Sequence, residues 1–371
     1  MEREFSIALE LSRALAAFSV FLAHFSYMGY TSTHTEFFHE YGHAAVVMFF
    51  VLSGYVIAYV CENKHADFRS YMTARFARLY SVLLFALLLT YVLDTAGRYL
   101  DPSVYSGIEA GYPVASAMVS VLFLQQSSLF SVKYLSNGPL WSLSYEFWYY
   151  VIFGCFYYFR GLKRVLSLAL LMLVVWPKVL LLFPCWILGV LIYRLHKVRL
   201  EKSPAHTGIV VLAFSGFWVI ASQDDMIHWL SMLPLQYGLY PSSSGFSSYF
   251  LSDYLLAATF GLLLFSLKYA AGLHPLAGKK TGSVVSLFSG FSFSMYSYHV
   301  PVILFLASTG LFVTDSAVSS LLLMFVSIVS IYLLSRFTEA RVKQLRNLLN
   351  RIQLAARTPN LQTLRSGTQN Q

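Results

Sequence analysis

The chain has 371 residues, 57% of them hydrophobic and only 12% charged, a balance that leaves too little polar surface to cover a soluble globule of this size. The formal net charge of +9 raises nucleic acid as a partner. However, Lys and Arg fall in short loops and the C-terminal tail instead of along one amphipathic element, which sets nucleic acid aside and fits the basic loops of a polytopic membrane protein.

Apolar blocks occupy 8–28, 42–60, 79–93, 143–159, 165–183, 207–221, 250–271, 284–307 and 316–335, each near the length that crosses about 30 Å of hydrocarbon as a helix. The expected fold class is therefore all-α, a polytopic membrane helical bundle. The first block opens with mixed charges (Glu2, Arg3, Glu4, Glu10) and has no small-residue cleavage site after it, so it reads as a retained helix. With the N-terminus in the cytoplasm, the loop at 29–41 is external and carries Glu36 and Glu40 without Lys or Arg. The next loop carries Lys64, Arg69, Arg75 and Arg78, and the one after it Asp94, Asp101 and Glu109 against Arg98, so the alternation of sign holds.

The segment 113–130 is apolar enough to be a helix, but if it crossed, Arg160, Lys163 and Arg164 and later Arg194, Lys197, Arg199 and Lys202 would lie outside. A segment that dips in and returns keeps them inside, and buried non-helical backbone is tolerated at that depth. Splitting 163–195 at Pro184 then gives about ten crossings, with both termini cytoplasmic and a short span at 184–195. A membrane domain over 1–340 precedes a cytoplasmic tail over 341–371. In that tail Val342, Leu345, Leu348, Leu349 and Ile352 recur at helical spacing among Arg341, Lys343, Arg346 and Arg351, the pattern of a helix lying on an anionic leaflet; from about Thr358 the chain reads as disordered.

Ionisable residues within spans mark candidate sites because charge at that depth is costly. Arg13 and His24 are eleven residues apart, which puts them within about 20° of one stripe and about 16 Å apart along a helix. Arg suits a fixed anion such as phosphate, and imidazole exchanges protons near neutral pH; taken singly, a snorkelling Arg and a structurally satisfied His are equally good readings. In Phe49-Phe50-Val51-Leu52-Ser53-Gly54, Gly54 permits close helix approach and Ser53 offers a hydroxyl at mid-depth. Arg75 and Arg78 share a helix face and suit phosphates, or simple anchoring. Trp141-Ser142-Leu143-Ser144-Tyr145-Glu146 places a carboxylate near the depth of His24, where it could orient the imidazole or serve as a structural ion-pair partner.

These segments, in this order, resemble the acyltransferase 3 family of membrane acyltransferases: Arg13 and His24 at its R-x10-H spacing, FFVLSG at 49–54, Arg75 and Arg78 for its RxxR, WSLSYE at 141–146, and a serine-tyrosine-histidine-proline segment around Ser297, Tyr298, His299 and Pro301. Phe147 stands where many members have a second acidic residue, and Ser81 where a proline often follows the RxxR tyrosine. The resemblance implies acyl-CoA, acetyl-CoA first, as donor substrate with no permanently bound cofactor, and a carbohydrate or glycolipid hydroxyl as acceptor. On this reading the enzyme is a multi-pass O-acetyltransferase of the inner (plasma) membrane. Coenzyme A phosphates would sit among Arg13, Arg75 and Arg78, with Ser53 at the cofactor side, and His24 would act as general base or covalent carrier, oriented by Glu146. His299 is the second candidate base. A transporter or flippase of a lipid-linked sugar or acyl carrier would share these charges.

Other patterns carry less. His34, His39 and His43 lack the ligand set of a metal site, so none is expected. The run Gly278-Lys279-Lys280-Thr281-Gly282 lacks the upstream glycine and following helix of a phosphate loop and reads as a basic loop.

Overall fold

The structure, a computed structural model, describes residues 2–27, 41–64, 67–198, 200–201, 203–237, 245–270, 279–312 and 316–355. The described chain is helical, with an isolated bridge between Tyr134 and Asn137 as its β pairing. Its helices are α1 (Arg3–Tyr27), α2 (Tyr41–Asn63), α3 (Phe68–Leu100), α4 (Pro113–Val121), α5 (Trp141–Tyr158), α6 (Gly161–Val175), α7 (Lys178–Leu181), α8 (Phe183–Leu195), α9 (Ala205–Ala221), α10 (Asp224–Gln236), α11 (Phe250–Ala270), α12 (Lys279–Ser289), α13 (Ser292–Ser308), α14 (Ala317–Ser335) and α15 (Val342–Ala355).

Five stretches are long and apolar enough to cross a membrane: Arg3–Ser26, Tyr41–Asn63, Phe68–Leu100, Gly245–Ala270 and Ala317–Ile352. Two bent pairs, α9 with α10 at 71° and α12 with α13 at 53°, raise the number to seven. Length and apolarity thus support five to seven spans, fewer than the expected ten. The difference lies in α5, α6 and α8, of 18, 15 and 13 residues: α5 is rich in Tyr and Trp, and the other two reach only about 20 Å. The break within 163–195 also differs from expectation. The helix ends before Trp176 and Pro177, while Pro184 sits in the first turn of α8, where its missing N–H costs nothing. Lys279 opens α12 instead of remaining in a loop; a helix does follow Gly278, although the upstream phosphate-loop glycine is still lacking.

The segment 113–130 turns back on itself. α3 and α5 are antiparallel, since Phe68 meets Phe159, the Tyr71 hydroxyl donates to the carbonyl of Tyr150 (3.0 Å) and Phe76 meets Phe147. The chain between them therefore returns to the side it left. α4 ends against α3, where the Tyr80 hydroxyl donates to the Val121 carbonyl (2.8 Å). Phe123 then reverses the chain with φ 55°, a left-handed conformation that costs a non-glycine residue about 1–2 kcal/mol. Its ring stacks on Phe147 at 4.4 Å, and its carbonyl accepts from Ser144 Oγ (2.6 Å) and Trp148 Nε1 (2.8 Å). Backbone polarity at this depth is thereby satisfied within the protein. Phe147, beside Glu146, is thus part of the packing that holds the turn.

α2 is the central helix, with 78% of its apolar window buried against 22% for that of α14. α8 runs parallel to it: Trp186 Nε1 donates to Ser53 Oγ (3.2 Å), the Tyr55 hydroxyl meets His196 Nδ1 (3.0 Å), and Lys197 pairs with Glu62. A Cβ on Gly54 would lie 1.9 Å from the Trp186 carbonyl oxygen, and one on Gly189 2.0 Å from that of Val51. Two backbones in contact need a glycine on each side, as expected for Gly54.

Gly54→Ala and Gly189→Ala should each lower the unfolding temperature of the detergent-purified protein, because overpacking costs about 1–3 kcal/mol. Gly208→Ala in α9, with nothing within 4 Å of the added carbon, should leave it unchanged or raise it slightly. Equal melting of wild type and Gly54→Ala would contradict the close crossing.

Candidate active site

The central helices line a cavity of about 70 Å³, whose polar lining includes Arg13, Ser53, Arg75, Arg78, Glu146 and Tyr150. That is room for roughly five waters, or for one phosphate-sized group. Each residue arrives from a different packing requirement. Arg75 and Arg78 stand one turn apart on α3, with Arg75 Cζ 5.8 Å from the Tyr150 ring centre and Arg78 Cζ 5.6 Å from that of Phe293. Arg13 comes from the middle of α1. Glu146 and Tyr150 are four residues apart on α5 and meet each other directly. Ser53 Oγ lies 3.2 Å from Glu146 Oε1 and 3.3 Å from the Tyr150 hydroxyl, and also accepts from Trp186. Ser53 is therefore the polar link by which α2 joins α5 and α8.

Five of the six expected site residues meet at this cavity; His24 is outside its lining. Its Nδ1 donates to the Val20 carbonyl (2.9 Å), which leaves Nε2 as the basic nitrogen of the neutral ring. The ring stands edge-on to His299 at 4.8 Å. His299 is fully buried, its Nδ1 donates to the Met295 carbonyl (3.0 Å), and its Nε2 has no partner among the described residues. Tyr296, which lines the cavity, lies 6.3 Å from His299. His24 thus neighbours the cavity through two rings of α13.

The expected pairing of Glu146 with His24 is corrected. Among the described residues the carboxylate is engaged by Ser53 and Tyr150, because its face of α5 turns toward α2 while the His24 face of α1 turns toward α13. His34 and His39 lie outside the described residues, and among those described no three potential ligands form a metal group.

Glu339, which no motif marks, also bears on the site. It follows α14, and its Oε2 accepts from both the amide and the hydroxyl of Ser294 (3.0 Å each) in the first turn of α13. Coulombic attraction ties it to Arg78 and Arg13. It follows an apolar block and precedes Arg341, and its contact with Ser294 joins the end of α14 to the start of α13. Tyr150, by contrast, was recoverable from its spacing of four from Glu146.

The cavity lining carries three guanidinium groups against one carboxylate, Glu146, with Glu339 and Glu10 acting on Arg13 from outside that lining, and Arg75 Nε is buried without a hydrogen-bond partner among the described residues. Like charges held together away from water repel strongly unless an anion joins them. The arrangement is a cluster of arginines inside a helical, membrane-type bundle, with a charge that favours an anion over a cation.

That class of site accompanies a family match. The acyltransferase 3 family model, described as an acyltransferase domain, matches residues 6–336. The chain belongs to the acyltransferase 3 family. It is also 30% identical over 148 residues to the acyltransferase MdmB of Streptomyces mycarofaciens, a match that covers 39% of this chain and 36% of that protein's length. No solved structure matches.

Replacing Glu339 by Ala should expose the amides of the first turn of α13 to faster hydrogen exchange, since losing a helix cap costs about 0.5–2 kcal/mol. Glu339→Gln, which keeps an acceptor oxygen, should retain most of the protection. Wild-type protection in the Ala variant would show that the cap contributes nothing.

Proposed function

We propose that this protein transfers an acyl group, acetyl first, from acyl-CoA to a hydroxyl of a cell-surface or exported carbohydrate. The observation that carries the reading is the unbalanced arginine cavity within a chain of this family. The phosphates of coenzyme A are the anions proposed for Arg13, Arg75 and Arg78. From Arg13 the pantetheine arm would follow α1 toward His24, about 16 Å along the helix.

In the direct route, His24 Nε2 takes the proton of the acceptor hydroxyl while its oxygen attacks the thioester carbonyl. The C–S bond then breaks, and the coenzyme leaves as thiolate and is reprotonated. In the covalent route the acyl group first resides on the imidazole. The basic ends of the helices support an orientation in the inner (plasma) membrane with both termini cytoplasmic. Arg160 and Lys163 lie by the α3 start, and Lys197 lies beside the end of α1 that holds Phe5.

Arg75→Ala with Arg78→Ala should weaken coenzyme A binding by the purified protein at least about tenfold, the loss of one or more charge-assisted hydrogen bonds; undiminished binding would remove the phosphate assignment. Membranes given labelled acetyl-CoA should place label covalently on glycan, and His24→Ala, expressed at the wild-type level, should lower that transfer by about a hundredfold or more. Net glycan movement without label would favour a transporter, and full activity of His24→Ala would exclude its role.

A further inference from the structure

A second imidazole and carboxylate meet outside the cavity. His43, in the first turn of α2, places Nε2 2.8 Å from Oδ1 of Asp253, in the first turn of α11. Asp253 is fully buried, whereas 27% of the His43 side chain is exposed. Asp253 Oδ2 has no partner among the described residues, and its main-chain carbonyl is met by Cys185 Sγ at 3.6 Å. Nε2–H donates to the carboxylate, so Nδ1 is the accepting nitrogen of the neutral ring.

A buried carboxylate whose side chain meets, among the described residues, one partly exposed imidazole is a poor way to hold two helices together. An apolar pair of the same volume is commonly as stable or more so. The placement argues for a ligand instead. His43 lies on the same stripe of α2 as Val46 and Phe50, which line the arginine cavity, and it stacks on Trp141, the neighbour of lining residue Ser142, at 6.3 Å and 11°. The Tyr249 ring stands 5.2 Å away and is 36% exposed. A polar nitrogen held in one orientation beside an accessible aromatic face suits a ring that carries hydroxyls on its rim and C–H bonds on its face.

We propose that His43, oriented by Asp253, is the acceptor subsite: Nδ1 takes the hydrogen bond of a carbohydrate hydroxyl while Tyr249 covers the sugar's apolar face. His43 is then a binding residue and Asp253 a positioning residue. The assignment rests on the acyl-transfer reading and adds to it which end of the bundle receives the acceptor, namely the end remote from the start of α1.

The test uses the full chain in its own membranes, with radiolabelled acetyl-CoA as probe and label counted on endogenous acceptor, beside coenzyme A binding by the purified protein. His43→Ala and His43→Gln should each lower incorporation at saturating acetyl-CoA by about tenfold or more while coenzyme A affinity stays within about twofold. Added imidazole should restore part of the incorporation to His43→Ala but none to Asp253→Asn, a response that a purely structural role would not give. His43→Gln covers the case in which the Ala variant does not fold. Wild-type incorporation in both His43 variants, or a matching loss of coenzyme A affinity, would overturn the subsite. Wild-type membranes that incorporate no label would refute the transfer reading itself, and the subsite with it.

Discussion

Three guanidinium groups in the middle of an apolar bundle set the conditions for everything around them. Arg13, Arg75 and Arg78 come from two helices, and each would be costly to bury alone. Their tolerance depends on carboxylates delivered from elsewhere: Glu146 from α5, held by Ser53 and Tyr150, and Glu339 from beyond α14, held by the first turn of α13. The bend between α12 and α13 serves this arrangement, because it presents the Ser294 amide to Glu339 at cavity depth. The lining itself still holds three guanidinium groups against one carboxylate, an excess that favours an anion.

A close helix crossing holds this cluster rigidly. Gly54 and Gly189 bring the backbones of α2 and α8 together, and Ser53, next to Gly54, reaches both the Glu146 network and Trp186. The packing motif and the polar site are therefore one feature of α2. Moving α2 outward by the width of a methyl group would stretch the bonds that orient the carboxylate, so the helix crossing and the polar cluster are coupled at this point.

The bundle separates its two imidazole arrangements. His24 lies against His299, screened from the cavity by Tyr296, while His43 meets a buried aspartate at the first turns of α2 and α11. Both stand beyond the arginines toward the same end, and the arginines stand nearer the basic end. A donor that enters from the basic end and an acceptor that arrives from the other would meet between them without either crossing the bundle.

Residue chemistry alone determined the helical class and the arginines, since an apolar run of bilayer length and a charge inside it carry their meaning without knowledge of neighbours. The role of Gly54 was readable for a similar reason: a glycine in a helix of large residues has few uses other than close approach. The return of 113–130 was legible from the sign of distant loops, and the antiparallel course of α3 and α5 supports it. Three matters were decided only in three dimensions. The partner of Glu146 depends on which way its face of α5 is rotated, and a similar depth for Glu146 and His24 does not specify rotation. Glu339 and the pair of His43 with Asp253 join residues 45 and 210 positions apart, and no local spacing encodes a contact of that separation. Such contacts arise from how whole helices pack, so their charges become a site only when the bundle closes.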